Sequence, residues 1–394
     1  MRRVFVTHAL RTPIGRFLGS FAELSAVDLG SQVVRGLLKQ AALDPREVEA
    51  LEFGCARQAG LGPNPARQVA IAAGLPEEVT ASTTNMACGS GLLTLVNGAR
   101  MIAAGEADLV LVGGMENMTR VPFLLPKARL GYRMGHAPMV DAMYQDGFLC
   151  PMAGQLMGET AETLATQYGI SRDEQDAFAL RSQERTQKAI SASKFLEETV
   201  PVEVPGKRGA PVLVTADEHP RAETTIQSLK KLPPVFDPQS GTVTAGNASG
   251  ITDGAAALLL MSESAASGRG FQPLASIEGY AMAGVDPKVM GIGPVPATRR
   301  LLERLRLTIS DFDLVELNEA FAAQVIACDR ELKFDQERLN VNGGSIALGH
   351  PIGCTGARIS VTLLHELRRR GGGLGLATLC ISGGQGLSVA FRSA

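Results

Sequence analysis

Cys88 lies in the segment 85–91 (NMACGSG), directly before a stretch of apolar periodicity that predicts a helix from residue 92. A thiol at the start of a helix is close to backbone N–H groups without a helical partner and to the positive end of the helix dipole, and both favour the thiolate. The small neighbouring residues let the backbone and a substrate approach closely. A buried structural cysteine in a tight turn is the alternative, but it would not need a glycine-flanked helix start. We therefore interpret Cys88 as a candidate nucleophile.

Three other segments rich in small residues place a reactive side chain at the end of a predicted strand or helix. They are 342–358 (NGGSIALGHPIGCTGAR) with His350, 378–386 (TLCISGGQG) with Cys380, and 318–321 (NEAF) with Asn318. With Cys88 they could supply a nucleophile, a base that takes its proton, a second thiol that exchanges a proton with carbon, and an amide that helps bind an oxyanion. The segment around His350 could instead be a phosphate-binding loop or a tight turn with a solvated histidine, although it lacks the G-K-[ST] ending of such a loop.

Short apolar strands alternate with amphipathic helices along the chain, which predicts an α/β protein whose sheets are covered by helices. The predicted strands are 4–7, 50–54, 107–113, 314–317 and 375–380. The predicted helices are 28–42, 64–73, 92–104, 171–191 and 357–368. Cys88 and His350 then precede helices, whereas Asn318 and Cys380 lie at the ends of strands. We interpret these four side chains as one constellation.

The C-terminal third repeats the plan of the N-terminal third, since in both a small-residue loop leads into a helix and then into a strand that ends at a glycine pair. This pattern predicts two similar α/β halves. The stretch between them is polar and contains many prolines and methionines, which predicts an inserted subdomain that serves as a lid or substrate-binding surface. The predicted units are an N-terminal half at 1–119 completed by 250–272, an inserted loop subdomain at 120–249, and a C-terminal half at 273–394.

The composition argues against several classes of protein. The 394 residues include 44 glycines, with 45% hydrophobic and 20% charged residues, which suits a large folded core with many turns. A formal net charge of −2 without a long basic run argues against a nucleic-acid or membrane-surface role. No apolar run approaches the ~18 residues of a membrane span, and no targeting segment precedes the first strand. Six widely spaced cysteines predict reduced thiols in a cytoplasmic protein, and the histidine spacing predicts no metal site.

The segments that carry the four reactive side chains closely resemble the active-site segments of thiolases, which make or break 3-oxoacyl-CoA by Claisen chemistry. The resemblance also includes RTPIGRF at 11–17, GGMENM at 113–118 and TAGNASGITDGAA at 244–256, and it covers the chain in the family's order. It implies a thiolase fold, with two similar α/β halves in a layered αβαβα body and an inserted loop subdomain. It also implies ping-pong acyl transfer between CoA thioesters in fatty-acid metabolism, including β-oxidation.

The resemblance implies a role for each matched residue. Cys88 falls on the nucleophile that becomes acylated, and His350 falls on the base that activates it. Cys380 falls on the acid/base that removes the C2 proton of the second acyl-CoA or returns a proton in the reverse direction. Asn318 falls on the residue that holds a water which, with His350, binds the enolate oxygen. The backbone N–H groups of Cys88 and Ser382 would form a second oxyanion hole, although thiolases usually have glycine in place of Ser382.

The resemblance further implies that CoA thioesters are substrates and that no cofactor is needed. The residues matched to CoA-contacting positions are Arg221, Ser228, Ala245 and Ser249, and those matched to the pantetheine and acyl pocket are Phe148, Met157, Met290 and Phe321. One departure concerns the substrate, because Leu156 stands where thiolases specialised for acetoacetyl-CoA often carry histidine. A more apolar pocket would tolerate acyl chains longer than four carbons, which is our hypothesis.

Other functions are weighed against the same residues. A decarboxylating ketoacyl synthase of this fold would have a second histidine or an asparagine in place of Cys380, and a catalytically silent acyl-CoA-binding relative should have lost at least one site residue. A nucleotide-dependent oxidoreductase would need G-x-G-x-x-G after a strand, which is absent. Thiolases are dimers or dimers of dimers. Because the segment 129–143 resembles the loop that joins dimers, we expect a homo-oligomer, with a homotetramer favoured.

Overall fold

The computed structural model describes residues 2–206 and 209–393 as a mixed α/β structure. Its strands are β1 (Val4–Arg11), β2 (Gly15–Arg16), β3 (Ala50–Gly54), β4 (Thr80–Thr84), β5 (Leu109–Asn117), β6 (Phe123–Leu124), β7 (Val140–Asp141), β8 (Leu149–Cys150), β9 (Gln155–Leu156), β10 (Val202–Val204), β11 (Val212–Val214), β12 (Thr252–Ser262), β13 (Ala275–Gly284), β14 (Leu314–Leu317), β15 (Gly373–Ile381) and β16 (Gln385–Ser393). Its α-helices are α1 (Ala26–Ala41), α2 (Pro65–Ala72), α3 (Ser90–Ala104), α4 (Met157–Tyr168), α5 (Arg172–Ser191), α6 (Ile226–Lys230), α7 (Glu263–Gly268), α8 (Pro294–Leu305), α9 (Ala322–Leu332), α10 (Ser345–Leu348) and α11 (Ile352–Arg369). Single turns of other helix types lie at Pro45–Glu47, Tyr144–Phe148, Pro287–Ile292 and Ile309–Asp311.

Ten strands form one sheet that contains the same pattern twice. Its order is β14-β15-β16-β13-β1-β12-β5-β3-β4, and β2 pairs with β12. In the first unit β3 is parallel to β5, which is antiparallel to β12, which is antiparallel to β1. In the second unit β14, β15, β16 and β13 repeat these directions in the same order. Two antiparallel residue pairs between β1 and β13 join the units, so the predicted duplication is confirmed.

The helices complete a five-layer αβαβα body. Helices α3 and α11 pack against each other and against strands of both units, so they form the middle layer. Helices α1 and α2 cover the outer face of the first unit, and α8 and α9 cover the outer face of the second. Strands β5 and β12 are buried along their whole length because helices cover both of their faces.

The two middle helices approach each other closely through glycines near their N-termini. A Cβ atom on Gly91 would lie 2.9 Å from the backbone nitrogen of Ala357, and one on Gly356 would lie 2.3 Å from that of Leu92. Both distances are too short for any other residue, so the sequence must have glycine here for the helices to meet backbone to backbone. This contact brings the start of α3 next to the start of α11.

Several elements differ from the sequence-based prediction. Helix α11 begins at Ile352 rather than at residue 357, because the glycine-rich stretch before 357 is helical when it is packed in the middle layer. The prediction of a single clear helix in the stretch 120–249 is wrong, since α4 and the short α6 also lie there. Helix α5 does begin with the predicted capping box, in which the side chains of Ser171 and Glu174 each accept from the other's backbone N–H. Within residues 2–206 and 209–393, no helix combines the length and apolarity needed to cross a membrane.

Candidate active site

A cavity of about 500 Å³ opens where the candidate segments end. Cys88, His350 and Cys380 all line it, although they lie far apart in the sequence. Asn318 lies directly behind His350, with its amide Nδ2 at 3.5 Å from the Nε2 atom of that ring. The fold therefore brings all four sequence-predicted side chains together at the contact between α3 and α11. The volume falls in the range of about 300–1,000 Å³ that is typical of small-molecule sites.

The turn that presents Cys88 is held by the side chains of its own segment. Asn85 Oδ1 accepts the N–H of Ala87 at 3.0 Å. Ser90 Oγ accepts the N–H of Met86 at 2.9 Å and donates to the carbonyl of Ala87 at 2.6 Å. These bonds hold Ala87 at a φ of 46°, a left-handed conformation that is uncommon outside glycine. The constrained turn leaves Cys88 partly exposed in the cavity wall.

The electrostatics of Cys88 differ from the sequence-based expectation that its thiolate is favoured. Burial raises the pKa of the Cys88 thiol above its ordinary value, whereas the backbone N–H groups of Ser382 and Cys88 and the charge of Arg57 act in the opposite direction. These two N–H groups belong to Cys88 itself and to the turn after β15 rather than to the first turn of α3, and desolvation outweighs them. A thiol that is neutral at rest must lose its proton to a base as it attacks, which makes the neighbouring histidine necessary.

His350 is a buried, neutral imidazole. Burial lowers the pKa of His350 to about 3, and the charges of Arg358 and Arg57 act in the same direction. Its Nδ1 atom lies 2.6 Å from Thr355 Oγ1, which in turn lies 2.9 Å from the carbonyl oxygen of Pro351. The ring is therefore available as a proton acceptor at neutral pH, because it carries no proton on one of its nitrogens.

A chain of hydrogen bonds determines which nitrogen of His350 is the basic one. Arg358 Nη2, which can only donate, lies 2.8 Å from Ser345 Oγ, and Ser345 donates its own proton to Asn318 Oδ1 at 2.5 Å. The amide Nδ2 of Asn318 consequently faces His350 Nε2, which acts as the acceptor. The ring proton then lies on Nδ1 and is donated to Thr355, so Nε2 is the base.

Glu116 ties three segments of the site together. Its Oε2 atom accepts the backbone N–H groups of Ala56 at 3.1 Å and Gly353 at 2.9 Å, and its Oε1 atom accepts that of Arg57 at 3.1 Å. Burial raises the pKa of Glu116, while the charge of Arg57 and these hydrogen bonds lower it. Glu116 lies on β5, so it fixes the loop after β3 and the first turn of α11 relative to the sheet.

Cys380 and Ser382 lie at the end of β15. Burial raises the pKa of Cys380 well above its ordinary value, and the nearby Cys88 raises it further, so Cys380 is a neutral thiol that can donate a proton. In the turn that follows, Gly383 and Gly384 have φ values of 86° and 82°, whereas Ser382 is not among the residues with positive φ. A serine can therefore occupy this position, where the resemblance led us to expect glycine, without backbone strain.

Most of the residues matched to substrate-binding positions lie in the cavity wall, and one does not. Those in the wall are Phe148, Met157, Arg221, Ala245, Ser249, Met290 and Phe321, and Leu156 lies beside them. Ser228 is exposed on α6, where its Oγ accepts the N–H of Thr225 at 3.0 Å and donates to the Thr225 carbonyl at 2.7 Å. Its hydroxyl is thus occupied within its own helix, outside the wall of the cavity.

Sequence reasoning missed several residues that shape the site. Thr355 and Ser345 lie within the predicted segment 342–358, and their hydroxyls could have been noticed as partners for a nearby histidine. Glu116 lies in the segment 113–118, but nothing in the sequence assigned it a role, and Arg57 belongs to none of the matched segments. Only the folded structure shows that the charges of both act on Cys88. His219, which its sequence context indicated to be a structural or surface residue, also lines the cavity.

The other four cysteines are buried free thiols outside the cavity wall: Cys55, Cys150, Cys328 and Cys354. Burial raises the pKa of Cys328 and of Cys354 to about 12, which makes both thiols unreactive. Across the part of the chain that the structure describes, no three His, Cys, Asp or Glu side chains are grouped so that they could hold a metal ion.

Comparison with known proteins gives consistent matches over the whole chain. The family model described as "Thiolase, N-terminal domain" matches residues 4–264, and that described as "Thiolase, C-terminal domain" matches residues 271–393. The acetyl-CoA acetyltransferase of Pseudomonas aeruginosa is 51% identical over 389 residues, which cover 99% of both chains.

Two solved structures extend this similarity to the fold. The crystal structure of the Bacillus anthracis acetyl-CoA acetyltransferase superposes with a TM-score of 0.97 at 44% identity, covering 100% of this chain and 99% of that one. The human mitochondrial 3-ketoacyl-CoA thiolase superposes with a TM-score of 0.96 at 43% identity and the same coverage. The expected fold class is therefore confirmed.

Proposed function

The chain belongs to the thiolase family, and we propose that it transfers acyl groups between CoA thioesters through an acyl-Cys88 intermediate, as an acetyl-CoA C-acetyltransferase or C-acyltransferase. The observation that carries the proposal is the meeting of Cys88, His350 and Cys380 in one cavity. A nucleophile and a base would suffice for hydrolysis, whereas the second thiol supports chemistry at carbon.

In the first half-reaction, His350 Nε2 takes the proton of the Cys88 thiol as the sulfur attacks the thioester carbonyl of an acyl-CoA. The backbone N–H groups of Cys88 and Ser382, both of which act on the Cys88 sulfur, would stabilise the oxyanion that forms. The C–S bond to CoA then breaks. The leaving CoA thiolate receives the proton from His350, which returns to its neutral form.

In the second half-reaction, the Cys380 thiol would first give its proton to His350 Nε2, and the thiolate would remove a proton from C2 of a second acetyl-CoA. The resulting carbanion would attack the acyl group on Cys88, the C–S bond to Cys88 would break, and His350 would return its proton to the Cys88 thiolate. Asn318, through a water, and His350 would bind the enolate oxygen of that acetyl-CoA. The fixed orientation of the Asn318 amide supports this role, because Ser345 leaves only its N–H side for the base. Thiolytic cleavage runs through the same steps in reverse.

The proposal needs no cofactor, because the thioesters and the side chains supply every proton and electron pair. Arg221, Ala245 and Ser249 in the cavity wall would contact CoA, while Phe148, Met157, Met290 and Phe321 would contact the pantetheine and acyl groups. We further propose a homo-oligomer, favouring a homotetramer through the segment 129–143, whose exposed Leu130, Met134 and Met139 suit burial against another copy. A cytoplasmic location fits the six free cysteines.

Mass spectrometry after incubation with acetyl-CoA tests the proposal directly. We expect a gain of about 42 Da, the mass of one acetyl group, on the peptide that contains Cys88. No adduct, or an adduct on another cysteine, would overturn the mechanism. A Cys354→Ala variant should be acetylated as the wild type is, because Cys354 lies outside the cavity wall.

The chain-length hypothesis concerns Leu156, which lies in the cavity wall. An aliphatic side chain offers no hydrogen bond beside the thioester, which supports tolerance of acyl chains longer than four carbons. Thiolysis rates for a series of 3-ketoacyl-CoA substrates from C4 to C12 test it, with Leu156→His as the matched variant. Activity confined to C4 in the wild type would contradict the hypothesis.

A further inference from the structure

The guanidinium of Arg57 lies in the wall of the catalytic cavity without a partner of its own. Arg57 is only 8% exposed, and its buried Nε atom makes no hydrogen bond. None of the ion pairs among residues 2–206 and 209–393 includes it. By contrast, the buried Arg11 is bound by Glu198 at 2.6 Å and by Asp217 at 2.7 Å. A buried charge is costly unless it is paired, so an unpaired one in a cavity wall suits the binding of an anionic group.

The charge of Arg57 acts on the buried Glu116, but Glu116 does not form an ion pair with it. Both oxygens of Glu116 are occupied by backbone N–H groups, including that of Arg57 itself, and no ion pair forms between the two side chains. The site is nevertheless shaped around the guanidinium. A Cβ atom on Gly147 would lie 2.7 Å from Arg57 Nε and 2.9 Å from its Nη2, so only glycine leaves room for the arginine in this position.

The charges of the cavity separate into a rim and an interior. Its lining includes three arginines and no aspartate or glutamate among the residues that the structure describes. Arg16 and Arg221 are exposed at the mouth, where the phosphates of CoA would lie. Arg57 is buried, and its charge acts on both Cys88 and His350. The exposed arginines match the phosphates of CoA, so a negative charge that binds Arg57 inside the cavity would belong to the acyl side of the thioester.

We infer that Arg57 is a specificity-determining residue that binds a carboxylate at the far end of the acyl chain, so that the preferred substrates are 3-oxoacyl-CoA thioesters of dicarboxylic acids. The inference rests on the proposed thiolase function and names its substrate class. Apolar side chains such as Leu156 and Met290 would contact the methylene groups, and the guanidinium would bind the carboxylate through two parallel hydrogen bonds.

The reaction balances without a further reactant. Cys88 gives its thiol proton to His350 as its sulfur attacks C3 of the 3-oxoacyl-CoA, the C2–C3 bond breaks, and Cys380 protonates the carbanion to release acetyl-CoA. His350 then passes its proton to the Cys380 thiolate, and the shortened acyl group, which still carries its terminal carboxylate, stays on Cys88. The thiol of free CoA gives its proton to His350 as it attacks that thioester, the C–S bond to Cys88 breaks, and the Cys88 thiolate takes the proton from His350 as the ω-carboxyacyl-CoA leaves.

Thiolysis kinetics on matched pairs of substrates test the inference. Each pair has the same number of carbons, for example 3-oxohexanedioyl-CoA and 3-oxohexanoyl-CoA, with eight- and ten-carbon pairs beside it. We expect wild-type kcat/KM to favour the dicarboxylic member of at least one pair by about tenfold or more. Arg57→Leu should lower that preference at least about tenfold, mainly through KM, and Arg57→Lys should keep part of it because the charge remains.

Two further variants separate binding of the carboxylate from other effects. Gly147→Ala keeps the arginine but displaces its guanidinium, so it should also reduce the preference. Arg221→Leu at the rim should weaken both members of a pair equally, since CoA is common to both. Melting temperatures of all variants verify that each is folded.

Two results would overturn the inference. One is a wild type without preference for the dicarboxylic member at any length. The other is an Arg57→Leu variant that loses both members of a pair equally, because Arg57 would then act on Cys88 and not on the acyl chain. Acetylation of Cys88 by acetyl-CoA, which carries no terminal carboxylate, is measured in parallel. If Cys88 is acetylated but the wild type does not prefer the dicarboxylic member of any pair, only the role of Arg57 is refuted. If Cys88 is not acetylated, the proposed function itself is refuted.

Discussion

The loop before α3 and the loop before α11 occupy equivalent places in the two halves, yet they hold their reactive side chains in different ways. Cys88 is partly exposed, and Asn85 and Ser90 from its own short segment hold its turn. His350 is buried, and Thr355 and Asn318 contact its two ring nitrogens. A nucleophile needs access for a substrate, whereas a base needs a fixed tautomer, so the same architecture has been adapted to two requirements.

The two halves also differ in the surroundings of their buried glutamates, Glu116 and Glu316. Glu116 in the first half accepts three backbone N–H groups. Glu316 in the second half lies 3.9 Å from Arg358, and burial raises the pKa of Glu316 to about 8 although the charge of Arg358 acts to lower it. Two nitrogens of Arg358, Nε and Nη1, have no hydrogen-bond partner. Glu116 therefore holds backbone segments in place through hydrogen bonds, whereas Glu316 is protonated at neutral pH.

The largest expected effect is a loss of enzymatic activity, and it distinguishes the roles of the Cys88 and Cys380 thiols. Cys88→Ala should abolish both half-reactions, because both pass through the acyl group carried on the Cys88 sulfur. Cys380→Ala should still become acetylated on Cys88, yet it should lose C–C bond formation and cleavage by roughly 10³-fold, since no group then moves the C2 proton. Acetyl transfer is measured by mass spectrometry and C–C cleavage by thiolysis of acetoacetyl-CoA.

Cys354→Ala is the matched control for the two thiol variants. Cys354 is buried in α11 and does not line the cavity, so its variant should retain both half-reactions. If Cys380→Ala lowered acetylation and C–C cleavage by the same factor, the separate roles of the two thiols would be refuted.

A variant with a smaller expected effect tests whether His350 is positioned by side chains from other elements of the second half. Ser345→Ala removes the hydroxyl that orients the Asn318 amide, so we expect kcat for C–C cleavage to fall by about tenfold with little change in KM. Ser360→Ala is the control, because the Ser360 hydroxyl bonds only the Gly356 carbonyl of its own helix. Equal losses in the two variants would show that the Ser345 effect is general destabilisation.

The difference between the Cys88 loop and the His350 loop explains how much of the site could be predicted from the sequence. Asn85, Cys88 and Ser90 lie within six residues, so the segment itself indicated a reactive thiol at a helix start, and the strands 50–54 and 314–317 were predicted with their observed bounds. The raised pKa of Cys88 could not be predicted, because it depends on burial by other segments. The early start of α11 also depends on tertiary packing, which allows a glycine-rich stretch to be helical.

Stability as a function of pH tests the difference between the two buried acids. Because the folded-state pKa of Glu316 is raised to about 8, its protonated form contributes stability that is present below pH 4.5 and is lost as the pH rises through 8. Glu316→Gln cannot ionise, so its melting temperature relative to the wild type should rise between pH 5 and pH 8.5.

Glu337→Gln is the control for this measurement. The side chain of Glu337 is 89% exposed, so its variant should differ from the wild type by a constant amount over the same pH range. A constant difference for Glu316→Gln as well would show that the buried acid is already ionised in the folded protein.

The smallest expected effect concerns the backbone donor at the end of β15. Ser382 has no positive φ, so Ser382→Gly should keep the N–H in place and leave kcat/KM within about threefold of the wild type. The added freedom of the unfolded chain should lower the free energy of unfolding by roughly 0.5–1 kcal/mol. Gly383→Ser next to it should cost more, because Gly383 has a φ of 86° and its Cβ would lie 2.8 Å from Met152 Cε. A tenfold loss of thiolysis activity in Ser382→Gly would instead show that the serine hydroxyl takes part in the reaction. The second half would then contribute the side chain of Ser382, where we assign only its backbone N–H.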